Sequence, residues 1–357
     1  MRLMLVNSAT PTMWGGGEMW FTEAARWFAA RGHQIQVVGR PQSRFLAAVE
    51  EAGIEAVPFG FGGDYDPIAS ARAFALQLRF RPDVLLVNFN KEAWLFGRGA
   101  KLLRRKLVAR HGLTLFKSKS VHRFVYRWHM DRVVVNAPSI RADYQTRGFD
   151  TGRISVILNG VREVASRPGE LRQALGVATE TLLVGAAGRL NPQKRLDRFI
   201  RIAEALCERG IDARFVILGD GDERDALQAQ WAATGLGDRL IFGGFCEDLA
   251  ARAGDLDLFM LTSGNEGTPN VLLEVMARGV ASLAFAVGAV PEVLSGDSAK
   301  GLIADGDEAA MIAMAELLLR NRDERDQLGR TQARRVREEL GFDRSMEQYE
   351  ALLSSLR

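Results

Sequence analysis

Cysteine is scarce: Cys207 and Cys246 are the only two in 357 residues, too few for a disulfide framework. Neither lies in a Cys-x-x-Cys pair or a Cys/His cluster, so structural zinc is not expected. Both read as small buried hydrophobes in a reducing compartment. No uninterrupted apolar run reaches the roughly 18 residues a membrane-spanning helix needs. The opening MRLMLVNS is too short for a secretory signal and lacks a small-residue cleavage site; it reads as a first strand, and a cytoplasmic location is expected. The Rossmann glycine fingerprint is missing too. After Gly15 and Gly17 the third glycine would fall on Trp20, and LGDGDE at 218–223 fails the same test, which disfavours a nicotinamide-dependent dehydrogenase. No Walker loop occurs.

What remains is ordinary for a globular protein, with 47% hydrophobic and 25% charged residues. The charge is uneven. Residues 1–164 carry 24 Lys and Arg against 13 Asp and Glu; the rest carry 23 against 31. Two domains with different partners are expected.

Short apolar, β-branched runs recur along the chain, among them LMLV (3–6), DVLLVN (83–88), KLVA (106–109), TLLVGAA (181–187) and DLFML (257–261). Helical patterns such as 19–32 and 196–210 lie between them, and both end in Gly, the residue favoured beyond a helix C-terminus. This alternation predicts α/β architecture with parallel sheets covered on both faces. The polar segment 159–170, with Gly and Pro, predicts a hinge near 160–168. The expected domains are 1–164 and 165–340. A C-terminal helix (341–357) would return to the first domain. Two doubly wound domains would face a central cleft, since ligands in such sheets sit outside the carboxyl ends of the strands.

The stretch EGTPNVLLE (266–274) reads as a loop opening into a helix, with Thr268 as N-cap and Pro269 at the first helical position. A helix N-terminus presents unpartnered N–H groups and partial positive charge, a fit for phosphate. Glu274 in the second turn would reach a hydroxyl pair such as a ribose diol, and Glu266 the other end of the same ligand. Upstream, GAAGRLNPQKRLDRFI (185–200) places Arg189 and Lys194 after a strand, where a diphosphate needs cations. Singly, each of these residues also fits a solvated surface group. The Thr-Pro-Asn start and the strand-end positions favour a nucleotide sugar.

The segments GRLNPQK, LGDGDERDAL, GGFCEDL, DLFMLTSGNEGTPNVLLEVMARG and VGAVPEVL, in this order, resemble the retaining GT-B glycosyltransferases of glycosyltransferase family 4. The resemblance covers nearly the whole chain and is strongest over 183–306. It implies that Arg189 and Lys194 hold the donor diphosphate, that Glu274 binds the ribose and that Glu266 contacts the transferred sugar. Backbone of Gly267, Thr268, Pro269, Asn270 and Val271 would surround sugar and phosphates. Gly219, Asp220 and the segment around Phe245 would lie near the base. Gly15, Gly16 and Gly17 match the family's first loop, where glycine lets backbone approach a phosphate or sugar. The family transfers with retention and without an obligatory metal. DYD (64–66) and DLD (255–257) look like metal-binding DxD, but one lies in a Gly-rich loop of the other domain and one opens a buried strand, so no metal is expected.

Between Arg98 and Met130 there is no acid. Lys101, Arg104, Arg105, Lys106, Arg110, Lys117 and Lys119 are interleaved with apolar residues, a composition suited to an anionic membrane surface or its acceptor. A solvated basic face is the plain alternative, and no nucleic-acid module is recognisable. His111 follows a strand and is expected to position an acceptor hydroxyl or take its proton, or else to serve structure or phosphate binding. The combined expectation is a retaining glycosyltransferase acting on a lipopolysaccharide-, exopolysaccharide- or other glycan-type acceptor at the cytoplasmic membrane. The alternatives are a same-fold synthase or phosphorylase on soluble sugars, and a non-catalytic membrane- or nucleic-acid-binding protein.

Overall fold

The computed structural model describes residues 1–63, 65–116 and 120–357. The chain forms two compact units, Met1–Leu158 with Ser345–Arg357, and Asn159–Arg344.

In the first unit, strands β1 (Arg2–Asn7), β2 (Gln34–Gly39), β3 (Glu55–Pro58), β4 (Val84–Val87), β5 (Lys106–His111), β6 (Arg132–Val135) and β7 (Ile154–Val156) form a parallel sheet. Among the described residues it has seven strands in the order β3-β2-β1-β4-β5-β6-β7. Strand residues such as Leu5, Val37, Leu85, Val108 and Val134 are fully buried. Helices cover both faces of a parallel sheet, so its strands are apolar throughout rather than alternating. Each such side chain contributes roughly 1.5–3 kcal/mol of burial free energy. The first helix spans Gly16–Ala30 and buries Trp20, Phe21, Ala24, Ala25, Trp27 and Phe28, an i, i+4, i+8 stripe. The helix Phe342–Ser355 contributes its later turns to this unit. Tyr349 packs at a tilt against Trp20, ring centres 4.8 Å apart, and Glu350 accepts from His33 at 2.6 Å.

The second unit holds β8 (Leu182–Ala187), β9 (Ala213–Leu218), β10 (Leu240–Gly244), β11 (Leu258–Leu261), β12 (Ala281–Phe285) and β13 (Leu302–Ile303). They form a parallel sheet in the order β10-β9-β8-β11-β12-β13. Strand order reverses between β8 and β11, as it does between β1 and β4 in the first unit. The carboxyl ends of those strand pairs are where ligands bind in doubly wound sheets.

The chain enters the second unit at Asn159, earlier than the polar composition after it suggests. Val161 bridges Gly341, and a Cβ on Gly160 would lie 2.4 Å from the Gly341 carbonyl oxygen, so this backbone is packed rather than a free linker. Among the described residues no helix is long and apolar enough to cross a membrane.

Candidate active site

The second unit brings the two acidic and basic motifs together at its strand-order reversal. The loop after β8 and the loop after β11 are stitched to each other. Gly264 N–H donates to the Gln193 carbonyl at 2.9 Å, Gln193 Nε2 donates to the Asn265 carbonyl at 2.8 Å, and Thr262 Oγ1 to the Lys194 carbonyl at 3.3 Å. Lys194 Nζ then meets Glu266 Oε1 at 2.6 Å. Arg189, exposed on the first of these loops, has no acidic partner among the described residues.

Two glycines let neighbouring loops pack closely on these two. Gly288, with φ +57, sits so close that a Cβ would lie 1.7 Å from the Glu266 carbonyl oxygen. Gly219, with φ +148, would place a Cβ 1.9 Å from the Gly188 carbonyl oxygen. Any side chain at either position would displace the loop it leans on.

The helix begins one residue later than expected. It spans Asn270–Ala277, with Pro269 as N-cap and no side-chain cap bond. Thr268 instead ties the loop to the start of the second unit: its Oγ1 accepts from Asn159 N–H at 3.1 Å, while Asn159 Nδ2 donates to Asn270 Oδ1 at 2.9 Å. Asn159 thus fixes the entrance of the helix. Gly267, Thr268 and Pro269 are buried, while Asn270 and Val271 are half-buried. The amides of Asn270 and Val271 stand at the helix's positive end, with no turn before them to supply carbonyls. Glu274, in the second turn, is largely enclosed and has no hydrogen-bond partner among the described residues. Burial alone pushes its carboxyl up to about 7.

Gly219 N–H donates to the Gly244 carbonyl at 2.7 Å, Asp220 is exposed near Arg224, and Phe245 presents a ring 68% exposed just beyond β10. The DLD aspartates are engaged in structure. Asp255 accepts from the amides of Gly169, Leu171 and Arg172, and Asp257 pairs with Arg172 and Arg325. Asp66 caps the helix Pro67–Phe80; Asp64 lies outside the described residues. Among the described residues no three His, Cys, Asp or Glu side chains converge as a metal site.

The first unit gathers buried polar side chains at the carboxyl edge of its sheet: Asn7, Ser8, Asn88, Arg110, His111 and Asn136, with Glu18 and Glu92 on the following helices. Glu92 ties the end of β1 to the end of β4. Its carboxyl accepts from Ser8 N–H, from Asn88 N–H at 2.5 Å and from Phe89 N–H at 2.9 Å. Burial outweighs these bonds and raises it to about 7. Gly15 is the N-cap of the first helix, and Gly16 and Gly17 form its first turn.

One expectation for this edge is corrected, and another is narrowed. Arg110 is 3% exposed, its guanidinium 4.2 Å from the Trp20 ring, so it meets no membrane; burial lowers its pKa, opposed by Tyr349 and Glu18. His111 is also fully buried, with Phe116 packed edge-on at 4.8 Å, which favours its structural role over contact with an acceptor. Its Nδ1 lies 2.9 Å from the Tyr144 hydroxyl, which accepts from Leu115 N–H. Burial, then the Arg110 charge, lowers His111 to about 3, so the ring is neutral.

The basic run is divided by the fold. Lys101 and Lys106 lie 3.7 and 3.8 Å from Asp131, Arg104 is exposed and Arg105 half-buried. These four sit at the amino end of β5, whereas His111 ends it, roughly 17 Å away for a six-residue strand. Lys117 and Lys119 lie outside the described residues.

Asn159, Gly288, Glu92 and the buried Asn7–Glu18 contact at 3.3 Å escape sequence reasoning. Only Glu92 leaves a local trace, an acid three residues after Phe89 at the start of the helix Asn90–Leu102.

Two parallel-sheet Rossmann-like units of this topology define the GT-B class. The family model for glycosyl transferases group 1 matches residues 169–335, and that for Glycosyltransferase Family 4 matches residues 14–163. The chain belongs to the family 4 glycosyltransferases. It is 28% identical over 268 residues to the 2-deoxystreptamine N-acetyl-D-glucosaminyltransferase of Streptomyces fradiae, covering 67% of this chain and 63% of that protein. It is 28% identical over 322 residues to the GDP-mannose-dependent alpha-(1-6)-phosphatidylinositol dimannoside mannosyltransferase of Mycobacterium tuberculosis, covering 84% and 82%. In fold it is similar to Anabaena HepE in complex with UDP, with TM-score 0.87, 20% identity, and 99% and 100% coverage.

Proposed function

We propose that the protein is a retaining glycosyltransferase. It moves a sugar from a nucleoside-diphosphate donor to a glycan or lipid-linked acceptor at the cytoplasmic face of the membrane, with no obligatory metal. The observation that carries this is the meeting of Lys194 and Glu266 at the strand-order reversal of the second unit, with Arg189 exposed on the same loop as Lys194 and without an acidic partner among the described residues.

In the reaction the bond from the anomeric carbon to the donor phosphate breaks, and the acceptor oxygen takes its place. The acceptor's proton leaves with the diphosphate. Negative charge grows on the departing phosphate, where Arg189, Lys194 and the first-turn amides of Asn270–Ala277 lower the barrier because they are already oriented. Glu274 accepts from the ribose hydroxyls, Glu266 from the sugar, and Phe245 stacks on the base. The mycobacterial relative, named for a lipid acceptor, supports a lipid-linked substrate. Lys101 and Arg104, flanking an exposed Leu102, suit an anionic surface at about 1 kcal/mol per basic residue.

The test is a thermal-shift titration with UDP, GDP, ADP and CMP in EDTA. A ligand at 100 times its Kd adds about 2.7 kcal/mol of stability, so one nucleotide should raise Tm clearly. No shift with any of them, in folded protein, sinks the donor assignment. Proton NMR of the first product then reads retention from the anomeric coupling.

A further inference from the structure

The first unit carries a concave corner that the proposed donor chemistry does not use. Its volume is about 260 Å³, and Tyr65, Pro67, Ser70, Trp94 and Arg98 line it. It forms where the segment leading into the helix Pro67–Phe80 meets the early turns of the helix Asn90–Leu102. The Tyr65 and Trp94 rings stand 4.9 Å apart at 63°, making two walls. Trp94 is held from behind: Phe124 stacks on it at 5.8 Å and 16°, and the His129 ring meets it edge-on at 5.3 Å. Tyr65 is 64% exposed. One helical turn beyond Trp94, the Arg98 guanidinium lies 5.6 Å from the Trp94 ring centre and has no acidic partner among the described residues. The nearby Asp66 carboxylate is occupied, accepting from Ile68 and Ala69 N–H at 2.8 and 3.0 Å. Ser70 gives its proton to the Asp66 carbonyl at 2.9 Å and keeps its oxygen lone pairs for a ligand.

We propose that this corner binds one acidic sugar ring of the acceptor, a pyranose bearing a carboxylate or a phosphate; this rests on the glycosyltransferase reading above. A pyranose has an apolar C–H face that packs on an aromatic ring, and hydroxyls at its rim that meet Ser70. The planar Arg98 fork suits a carboxylate or phosphate and is not spent on an acid among the described residues. The cavity is smaller than the ~300–1,000 Å³ of sites for larger ligands, which matches a single ring. A lipid surface is met by outward-pointing side chains such as Trp128 and Leu102, whereas steeply angled walls enclose a discrete ring.

The experiment measures binding of digalacturonate, glucose 6-phosphate and neutral cellobiose to the full chain by tryptophan fluorescence and calorimetry. The variants are Arg98→Gln, Tyr65→Ala and Tyr65→Phe, at exposed positions that leave the packing behind Trp94 intact. At least one acidic probe should bind tenfold or more tighter than cellobiose, and the better one names the charge carrier. Arg98→Gln and Tyr65→Ala should each lose tenfold or more, Tyr65→Phe should retain binding, and the nucleotide thermal shift should be unchanged in all three. Equal binding of acidic and neutral probes, or none, overturns the proposal. So does an Arg98→Gln variant that loses only adsorption to phosphatidylglycerol vesicles, which would assign the corner to the membrane. Acidic-sugar binding in a protein that shows no nucleotide shift would remove the donor reading and leave the subsite standing.

Discussion

Lys194 Nζ stands 2.6 Å from Glu266 Oε1, with the two side chains 18% and 7% exposed. The pair joins two loops 72 residues apart in sequence. Removing one member of a buried pair costs about 3–5 kcal/mol, because the other charge is left uncompensated; the residual exposure of Lys194 puts this pair at the low end. Glu266→Ala should therefore lower Tm by several degrees and turnover by about 100-fold or more. The double variant Lys194→Met with Glu266→Leu should recover Tm but not turnover. Calorimetry beside a donor-consumption assay checks both, and recovery of turnover would refute the catalytic role.

Glu274 titrates near pH 7 because burial raises it. The folded state then holds a proton that the unfolded state releases at its ordinary value of 4.5. This group's contribution to stability is greatest below that value and is lost as pH rises through 7. Ribose hydroxyls donate to the ionised form, so nucleotide affinity should fall as pH drops below 7. Glu274→Gln should bind weakly and without that pH step. Titrations from about pH 5.5 to 8.5 test it; an identical pH profile in the variant would show that another group is responsible.

Glu92 shares the raised value but serves the fold, since three backbone amides converge on its carboxyl. Glu92→Gln replaces one acceptor oxygen with an NH2 facing those donors. An unsatisfied buried group costs about 1–3 kcal/mol, so Tm should fall while nucleotide binding to the second unit persists. Unchanged stability would mean the carboxyl is not needed to join β1 to β4.

Gly288→Ala places a methyl 1.7 Å from the Glu266 carbonyl oxygen, at a φ of +57 that alanine disfavours. The loop must move, carrying Glu266 with it. Turnover should fall by tenfold or more with secondary structure intact by circular dichroism, while Gly279→Ala, which meets nothing within 4 Å, should leave turnover within a few-fold. Equal losses at both would show only a general penalty for replacing a left-handed glycine.

The alternation of strands and helices was legible because each element announces itself locally. Apolar β-branched runs require sheets covered on both faces, and Gly32, Gly210 and Gly279 end their helices with positive φ. Arg189, Lys194, Glu266 and Glu274 were legible for the same reason: each follows a strand or opens a helix within a few residues. Chemical type alone misled for Arg110, grouped with the basic run by its charge, while the burial of His111 favours the structural one of its readings. Their burial depends on Trp20, Tyr144 and Tyr349, distant in sequence and adjacent only after folding.

The sequence by itself determined the two α/β units, the strand ends on which the charged residues fall and the helix entrance beside Glu266. These follow from periodicity and backbone preference, which act over a few residues. The tertiary structure alone decided that Lys194 pairs with Glu266, that Asn159 fastens the entrance of Asn270–Ala277, that Gly288 leans on Glu266 and that Tyr65 and Trp94 enclose a corner. Those contacts join residues remote along the chain, and only the packing of helices on the sheets brings them within a few ångströms.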